Sequence, residues 1–209
     1  FKLGRTAEVI LLDQRQYRDD QPCGDQLFAP CPEAESEPRK YLGDTQKEWF
    51  KTTLERSAAV WKLIGNQLMI QSLHAPPGSP INKDSWDGYG VERREVLGHV
   101  EEKGVQNLAF LTGDIHTFFA GEVGVDGRGP ESVATEFVGG SITSLGIPET
   151  IQSVSGAPLT KEALDSLDGL DDSRAWRLRE AFVSRWPAAI SSRRRRSSIC
   201  GRRSSIPAT

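Results

Sequence analysis

Short apolar runs and longer amphipathic stretches take turns along this chain. AEVILLD, residues 7–13, is a continuous apolar run closed by an Asp, the pattern of a strand buried on both faces. Residues 14–44 hold Gly, Pro and acids without periodicity and predict a loop. A helix is expected after Gly43, where Asp44 or Thr45 can cap it and Trp49, Phe50 and Leu54 recur at about one helical turn. Residues 59–71 read as a strand broken by Gly65, and 72–89 as a long irregular stretch too polar to be core. A second helix is predicted over 91–103, with Val91, Val96 and Val100 on its apolar side and Gly104 as its stop. Residues 105–112 predict another buried strand, and 118–125 with 132–138 a strand pair joined by Asp126-Gly127-Arg128-Gly129. Beyond Gly139-Gly140 only 172–183 reads as a helix.

Helices alternating with buried strands predict an α/β domain with a largely parallel or mixed sheet. Ligands of such sheets bind beyond the carboxyl ends of the strands. That rule places Asp13, the Asn66/Gln67 region and Asp114 on one rim.

Composition changes the picture at one end. The 209 residues carry 26 basic and 29 acidic side chains, a net charge of -3. Residues 184–209 contain seven Arg and no acid, so the remainder holds 19 basic residues against 29 acidic ones, or -10. A body this acidic disfavours non-specific nucleic-acid binding, which needs Lys and Arg against phosphates. The Arg-rich tail itself predicts a disordered arm. No apolar run approaches the length of a membrane span. The three Cys are too few for a disulfide scaffold. Cys23 and Cys31 are spaced to close a small ring or to remain two loop thiols, and the first would imply an oxidising compartment.

Three segments carry candidate chemistry. LTGDIHTFFAGEV, residues 111–123, delivers Asp114 and His116 from the end of a strand. In an extended segment, residues two apart project to one side, so a carboxylate and an imidazole could face one ion. They could equally be a turn-capping Asp and a hydrogen-bonded His. LLDQRQYRDD, residues 11–20, sets Arg15 and Arg18 around Tyr17 after a buried strand. Guanidinium forks suit phosphate oxygens, although ion pairs to Asp13, Asp19 and Asp20 would also account for them. NKDSWDGYGVERRE, residues 82–95, holds Trp86 and Tyr89 with Asp84 and Asp87, either lining a pocket or plugging the long loop. His74 and His99 read as solvated or structural.

Taken in order, LLDQRQYR, YLGDTQKEWF, SAAVWKLIGNQLMI, DSWDGYGVERREVL, LTGDIHTFFAGEV and EFVGGSITSLG resemble the PhoD-type alkaline phosphatases/phosphodiesterases, over about residues 7–147. The resemblance implies a calcineurin-like metallophosphoesterase layered fold, of which residues 1–150 would be the C-terminal half, followed by a helical segment at 151–183 and the tail at 184–209. It implies metal-dependent hydrolysis of phosphoesters with calcium and iron, on small-molecule substrates. Asp114 and His116 would be metal ligands, with Asp13 and Asn66 as further candidates. Arg15 and Arg18 would act on the phosphate, and Tyr17, Trp86, Asp87 and Tyr89 would contact substrate. The family is exported, so a secreted, periplasmic or cell-surface location is implied, and with it a Cys23–Cys31 bridge. The family's other metal motifs would precede residue 1, and the tail at 184–209 stands where the family has a pocket-covering segment. This makes a non-catalytic metal- or anion-binding fragment the rival reading. A nucleic-acid binder driven by the Arg tail is a third, which the acidic body disfavours.

Overall fold

The structure is a computed structural model, and it describes residues 1–24, 30–72, 74–75, 79–80, 82–126 and 132–145. Most of the turn expected at 126–129, the segment at 151–183 with its helix, and the Arg-rich tail lie outside those residues. In chain order the described elements are β1 (Lys2–Leu3), β2 (Ala7–Leu11), α1 (Glu33–Ser36), α2 (Asp44–Arg56), β3 (Trp61–Asn66), β4 (His74–Ala75), β5 (Ser79–Pro80), a single 3-10 turn (Trp86–Gly88), α3 (Gly90–Glu102), β6 (Leu108–Thr112), β7 (Phe119–Val123) and β8 (Ala134–Val138).

Six of the strands form one sheet in the order β1-β2-β3-β6-β8-β7. β2, β3, β6 and β8 run parallel, and antiparallel β1 and β7 close the edges. The mixed α/β architecture expected from the pattern is therefore present. Register explains how the two faces differ. Ile10, Ile64, Phe110 and Glu136 stand side by side in one row. Phe50 and Leu54 of α2, with Val96, Leu97 and Val100 of α3, pack with the apolar members of that row into the core. One residue along each strand, Leu11, Gly65, Leu111 and Phe137 form the next row on the opposite face. Leu11, Leu111 and Phe137, together with Trp61, stay 39–57% exposed there. No described element covers that face.

Three elements depart from expectation for local reasons. Gly43, not Asp44 or Thr45, caps α2, and no side chain closes the cap. Gly43 has φ 73°, and a Cβ there would stand 2.9 Å from Cβ of Tyr17, so the Tyr17 loop lies directly on it. Gly65 does not break its strand: it pairs with Leu11 and Leu111 inside β3, and the Leu11 side chain fills the space a Cβ would need. The strand ends instead at Asn66, whose side chain is buried. Residues 72–89 are not solvated throughout, because Lys83, Trp86, Asp87 and Tyr89 are all buried.

Cys23 and Cys31 are joined by a disulfide, with Cα atoms 5.9 Å apart. The bridge pins residues 14–44 just before α1. Closing a ring of this size removes loop entropy worth about 2–3 kcal/mol from the unfolded chain. Denatured, non-reduced protein should therefore show fewer free thiols than its three Cys. Reduction should lower the stability by about that amount, read from urea midpoints with and without reductant; three free thiols before reduction would refute the bridge.

Candidate functional site

The rim is built by chain turns at the carboxyl ends of β2, β3 and β6. Past β2, the Asp13 backbone is held on both sides by Gln46 of α2: its N–H donates to Gln46 Oε1 at 2.8 Å, and its carbonyl accepts from Gln46 Nε2 at 2.7 Å. The Asp13 carboxylate accepts the backbone N–H groups of Arg15 (2.9 Å) and Gln16 (3.0 Å). This Asx turn swings the chain outward and starts the Arg15–Arg18 loop. Arg15 Nη1 donates to both oxygens of Asp84, at 2.8 and 3.0 Å, and its Nη2 lies 3.7 Å from Asp114 Oδ1. Arg18 reaches Asp84 from the other side, with Nη2 2.7 Å from Oδ1 and Nη1 donating to the backbone carbonyl at 3.1 Å. Burial works against the Arg18 cation, but the hydrogen bond and charge of Asp84 outweigh it and hold the Arg18 pKa above the ordinary arginine value.

Past β6, the chain does not stay extended. Asp114 (φ 71°) and His116 (φ 60°) both adopt the left-handed conformation, in a tight turn closed by the Ile115 N–H on the Gly113 carbonyl at 2.9 Å. The expected two-residue alternation is thus replaced by two strained residues. Such conformations cost non-glycine residues about 1–2 kcal/mol each and collect at functional sites. Both side chains are exposed on the rim. His116 Nδ1 is 2.9 Å from the Leu145 carbonyl, which can only accept, so Nδ1–H is the donor there and Nε2 is the ring nitrogen left for another partner. A carbonyl that fixes the tautomer in this way is the support metal-ligating imidazoles usually have. A carboxylate and an imidazole are a donor set that suits a hard or borderline cation. Among the described residues, the group of three Cys, His, Asp or Glu donors within 4.8 Å of one another is Cys23, Cys31 and Glu33, and there the two sulfurs are already bonded to each other. Asp114 and His116 therefore gather no third such donor from the described residues.

Behind the rim lies a buried polar layer that the sequence reading did not foresee. Asn66 Nδ2 donates to the Leu68 carbonyl (2.6 Å), Thr112 Oγ1 (2.9 Å) and Glu136 Oε1 (3.3 Å). Its Oδ1 accepts from Gln14 Nε2 and, at 3.3 Å, from Trp86 Nε1. The Glu136 carboxylate also accepts from Thr112 Oγ1 (2.6 Å) and from the backbone N–H groups of Ile70 (3.0 Å) and Gln71 (2.7 Å). Burial pushes its pKa up, against the pull of these donors and of the Arg93 cation. Parity held the signal: Gln14 continues the inward series of Ile10 and Leu12, and Glu136 sits between inward Ala134 and Val138.

Two sets of expectations change on this geometry. Asn66 is expected as a metal ligand, but its amide is spent inside the protein, and the Asp13 carboxylate caps its own turn. Trp86, Asp87 and Tyr89 are expected at the substrate, yet they are 0%, 3% and 0% exposed. Trp86 and Tyr89 flank Tyr41 at ring-centroid distances of 4.6 and 4.5 Å, and Ser72 Oγ donates to Asp87. They form an aromatic plug under the loop, the other reading of that segment. Trp86→Phe should cost about 1–2 kcal/mol through lost packing and the lost indole N–H. It should leave any substrate KM unchanged, and a raised KM at unchanged stability would restore the pocket reading. Tyr17 is exposed, and His99 is half-buried with Nε2 3.8 Å from Glu55.

With this geometry in place, comparison with known proteins is specific. The family model described as PhoD-like phosphatase matches residues 1–171. Alkaline phosphatase D of Bacillus subtilis (strain 168) is 37% identical over 150 residues, covering 70% of this chain and 26% of that protein. A solved structure described as "Structure of PhoD" superposes with a TM-score of 0.64 at 35% identity, covering 69% of this chain and 28% of the other. The chain thus spans about a quarter of the length of the relatives it matches. A match over so much of the chain, with six motifs in the family's order, places it plainly: the chain belongs to the PhoD-like phosphatase family.

Proposed function

We propose that this chain supplies one edge of a metal-dependent phosphoester hydrolase site, acting on small-molecule phosphoesters. The observation that carries the reading is the left-handed Asp114–His116 turn, with His116 Nδ1 tied to Leu145 and Arg15 3.7 Å from Asp114. Asp114 through a carboxylate oxygen and His116 through Nε2 would hold metal, and the family resemblance makes iron and calcium the ions to try first. Ions bound there would polarise phosphoryl oxygens and lower the pKa of a bound water. Arg15 presents a guanidinium beside that position, where it can neutralise charge on the phosphoryl oxygens. Asp13 shapes the turn that carries Arg15, and Asn66 positions the strand ends; neither is read as a ligand.

The layering is read as that of a calcineurin-like metallophosphoesterase, with residues 1–150 as its C-terminal half. The exposed row Leu11, Leu111 and Phe137 supports this, since it is an apolar sheet face of the kind that a second layer covers. The Cys23–Cys31 bridge supports an exported protein. Among the described residues no helix is long and apolar enough to cross a membrane. The acidic body supports a small-molecule substrate over a nucleic acid.

The rival reading, a metal- or anion-binding fragment without turnover, is favoured for the isolated chain by the two-donor count at the rim. One assay separates them. The chain alone, with iron and calcium, should hydrolyse an aryl phosphate negligibly. The chain joined to the family region it does not span should hydrolyse it briskly and lose that activity on chelation. Chelator-resistant turnover would overturn the metal assignment.

A further inference from the structure

We propose that Asp84 is a positioning residue for substrate anion binding: Arg18 locks Asp84, and Asp84 aims Arg15, the one guanidinium of the pair that faces substrate. The inference rests on the phosphoesterase reading above and deepens it. It also separates two arginines that the sequence treats alike.

The separation is geometric. The Arg18 side chain is 19% exposed and that of Arg15 is 44% exposed. Arg18 spends Nη2 on the Asp84 carboxylate and Nη1 on the Asp84 backbone carbonyl, so both ends of its fork close on one residue. Arg15 spends Nη1 on both oxygens of the same carboxylate and keeps Nη2 beside Asp114, 3.7 Å away and beyond hydrogen-bond reach. One edge of its planar fork is thus anchored and the other is presented to the rim. A bidentate oxyanion ligand needs its guanidinium held in a plane, and arginine has many rotamers to lose on binding. Anchoring one edge removes that loss beforehand, which is how preorganisation raises affinity.

Asp84 can do this because it does not move freely. Its N–H donates to Asn82 Oδ1 at 2.9 Å, and its carbonyl also accepts the Tyr41 hydroxyl at 3.0 Å. The next residue, Ser85, caps the 3-10 turn that carries buried Trp86. Asp84 therefore stands on the aromatic plug, and the plug acts on the site through it rather than by touching substrate. Gly88 shows how tight this mounting is, since a Cβ there would overlap the Lys83 carbonyl oxygen.

A different role for the same carboxylate would give the opposite result. If Asp84 merely occupied Arg15 as a competing anion, removing its charge would tighten phosphate binding. The test is a double-mutant cycle with two readouts: KM and kcat for an aryl phosphate in the active longer protein, and calorimetric affinity of this chain for inorganic phosphate. Arg15→Ala should raise KM and weaken phosphate about tenfold, the loss of one charge-assisted hydrogen bond. Asp84→Asn should give most of that loss, with kcat and thermal midpoint nearly unchanged. Arg15→Ala/Asp84→Asn should be no worse than Arg15→Ala alone, because the carboxylate acts only through that guanidinium. Arg18→Lys should reproduce part of the Asp84→Asn effect and vanish in an Arg15→Ala background. Tighter phosphate binding by Asp84→Asn, additive losses in the double variant, or a silent Arg15→Ala would each overturn the inference. Asp114→Asn keeps the two readings apart: if it abolishes turnover while Arg15→Ala is silent, the hydrolase stands and the positioning role falls. If turnover survives Asp114→Asn, the metal reading falls, and the Arg15–Asp84 coupling is judged on phosphate affinity alone.

Discussion

Asp114→Asn should lower kcat/KM for an aryl phosphate in the active longer protein by two orders of magnitude or more while leaving its stability almost untouched. The large effect follows from the donor count. If Asp114 and His116 hold the ion as proposed, losing one removes half of what this exposed pair offers it. Loss of a group that fixes metal and its activated water is of the same order as loss of an oxyanion donor, about 10²–10³ in kcat. The small effect on stability follows from the backbone. Asn tolerates the left-handed conformation that residue 114 adopts at φ 71°. His116→Ala should lose activity similarly. Asp114→Gly sharpens the argument: it should abolish turnover yet raise stability by up to about 1 kcal/mol, because glycine adopts that φ without strain. Turnover surviving Asp114→Asn, or Asp114→Gly destabilising the fold, would contradict this account.

The strands were legible because their burial leaves continuous apolar runs, and β2 and β6 stand where AEVILLD and VQNLAFLT place them, within a few residues. The shared rim was legible too, since parallel strands bring their carboxyl ends together whatever the loops do, and the Arg15–Asp114 approach confirms it. What the chain pattern hides is side-chain direction outside regular elements. Period-two reasoning put Asp114 and His116 on one side of an extended segment, but a sequence of this kind does not announce positive φ at both of those positions. The plug was misplaced for a related reason. Trp86, Asp87 and Tyr89 lie among Gly, Pro and charged residues, so local polarity points to the surface, whereas only the fold shows Tyr41 arriving between the rings. Asp84 could be noticed beside Trp86, but its partners are 66 and 69 residues away in the chain. Separation of that size leaves no local periodicity to read.

Glu136 is the buried charge on which this arrangement leans, and its removal should be the most destabilising single change among the polar residues behind the rim. Its carboxylate gathers Thr112 Oγ1, Asn66 Nδ2 and the N–H groups of Ile70 and Gln71, tying β8 to β6 and to the chain leaving β3. Glu136→Ala strands these donors and leaves Arg93, itself buried, without one of its opposing charges. Breaking a buried charge network from one side costs about 3–5 kcal/mol. That is a large share of the about 5–15 kcal/mol that holds a typical domain together. Glu136→Gln keeps shape and some acceptors but turns an amide N–H₂ toward a donor, so about 1–3 kcal/mol is expected. The two variants also predict a pH signature. The folded-state pKa of Glu136 is raised, burial being the largest cause. A group raised in this way contributes stability that is fully present below its unfolded pKa, about 4.3, and lost as pH rises through the folded value. The stability difference between wild type and Glu136→Gln should therefore be largest near pH 4 and shrink toward neutrality. Urea melts of both proteins at several pH values, taken as differences, cancel the other carboxylates. A difference that grows with pH would reverse the sign assigned to this group, and an Ala variant within about 1 kcal/mol of wild type would show that the rim does not depend on it.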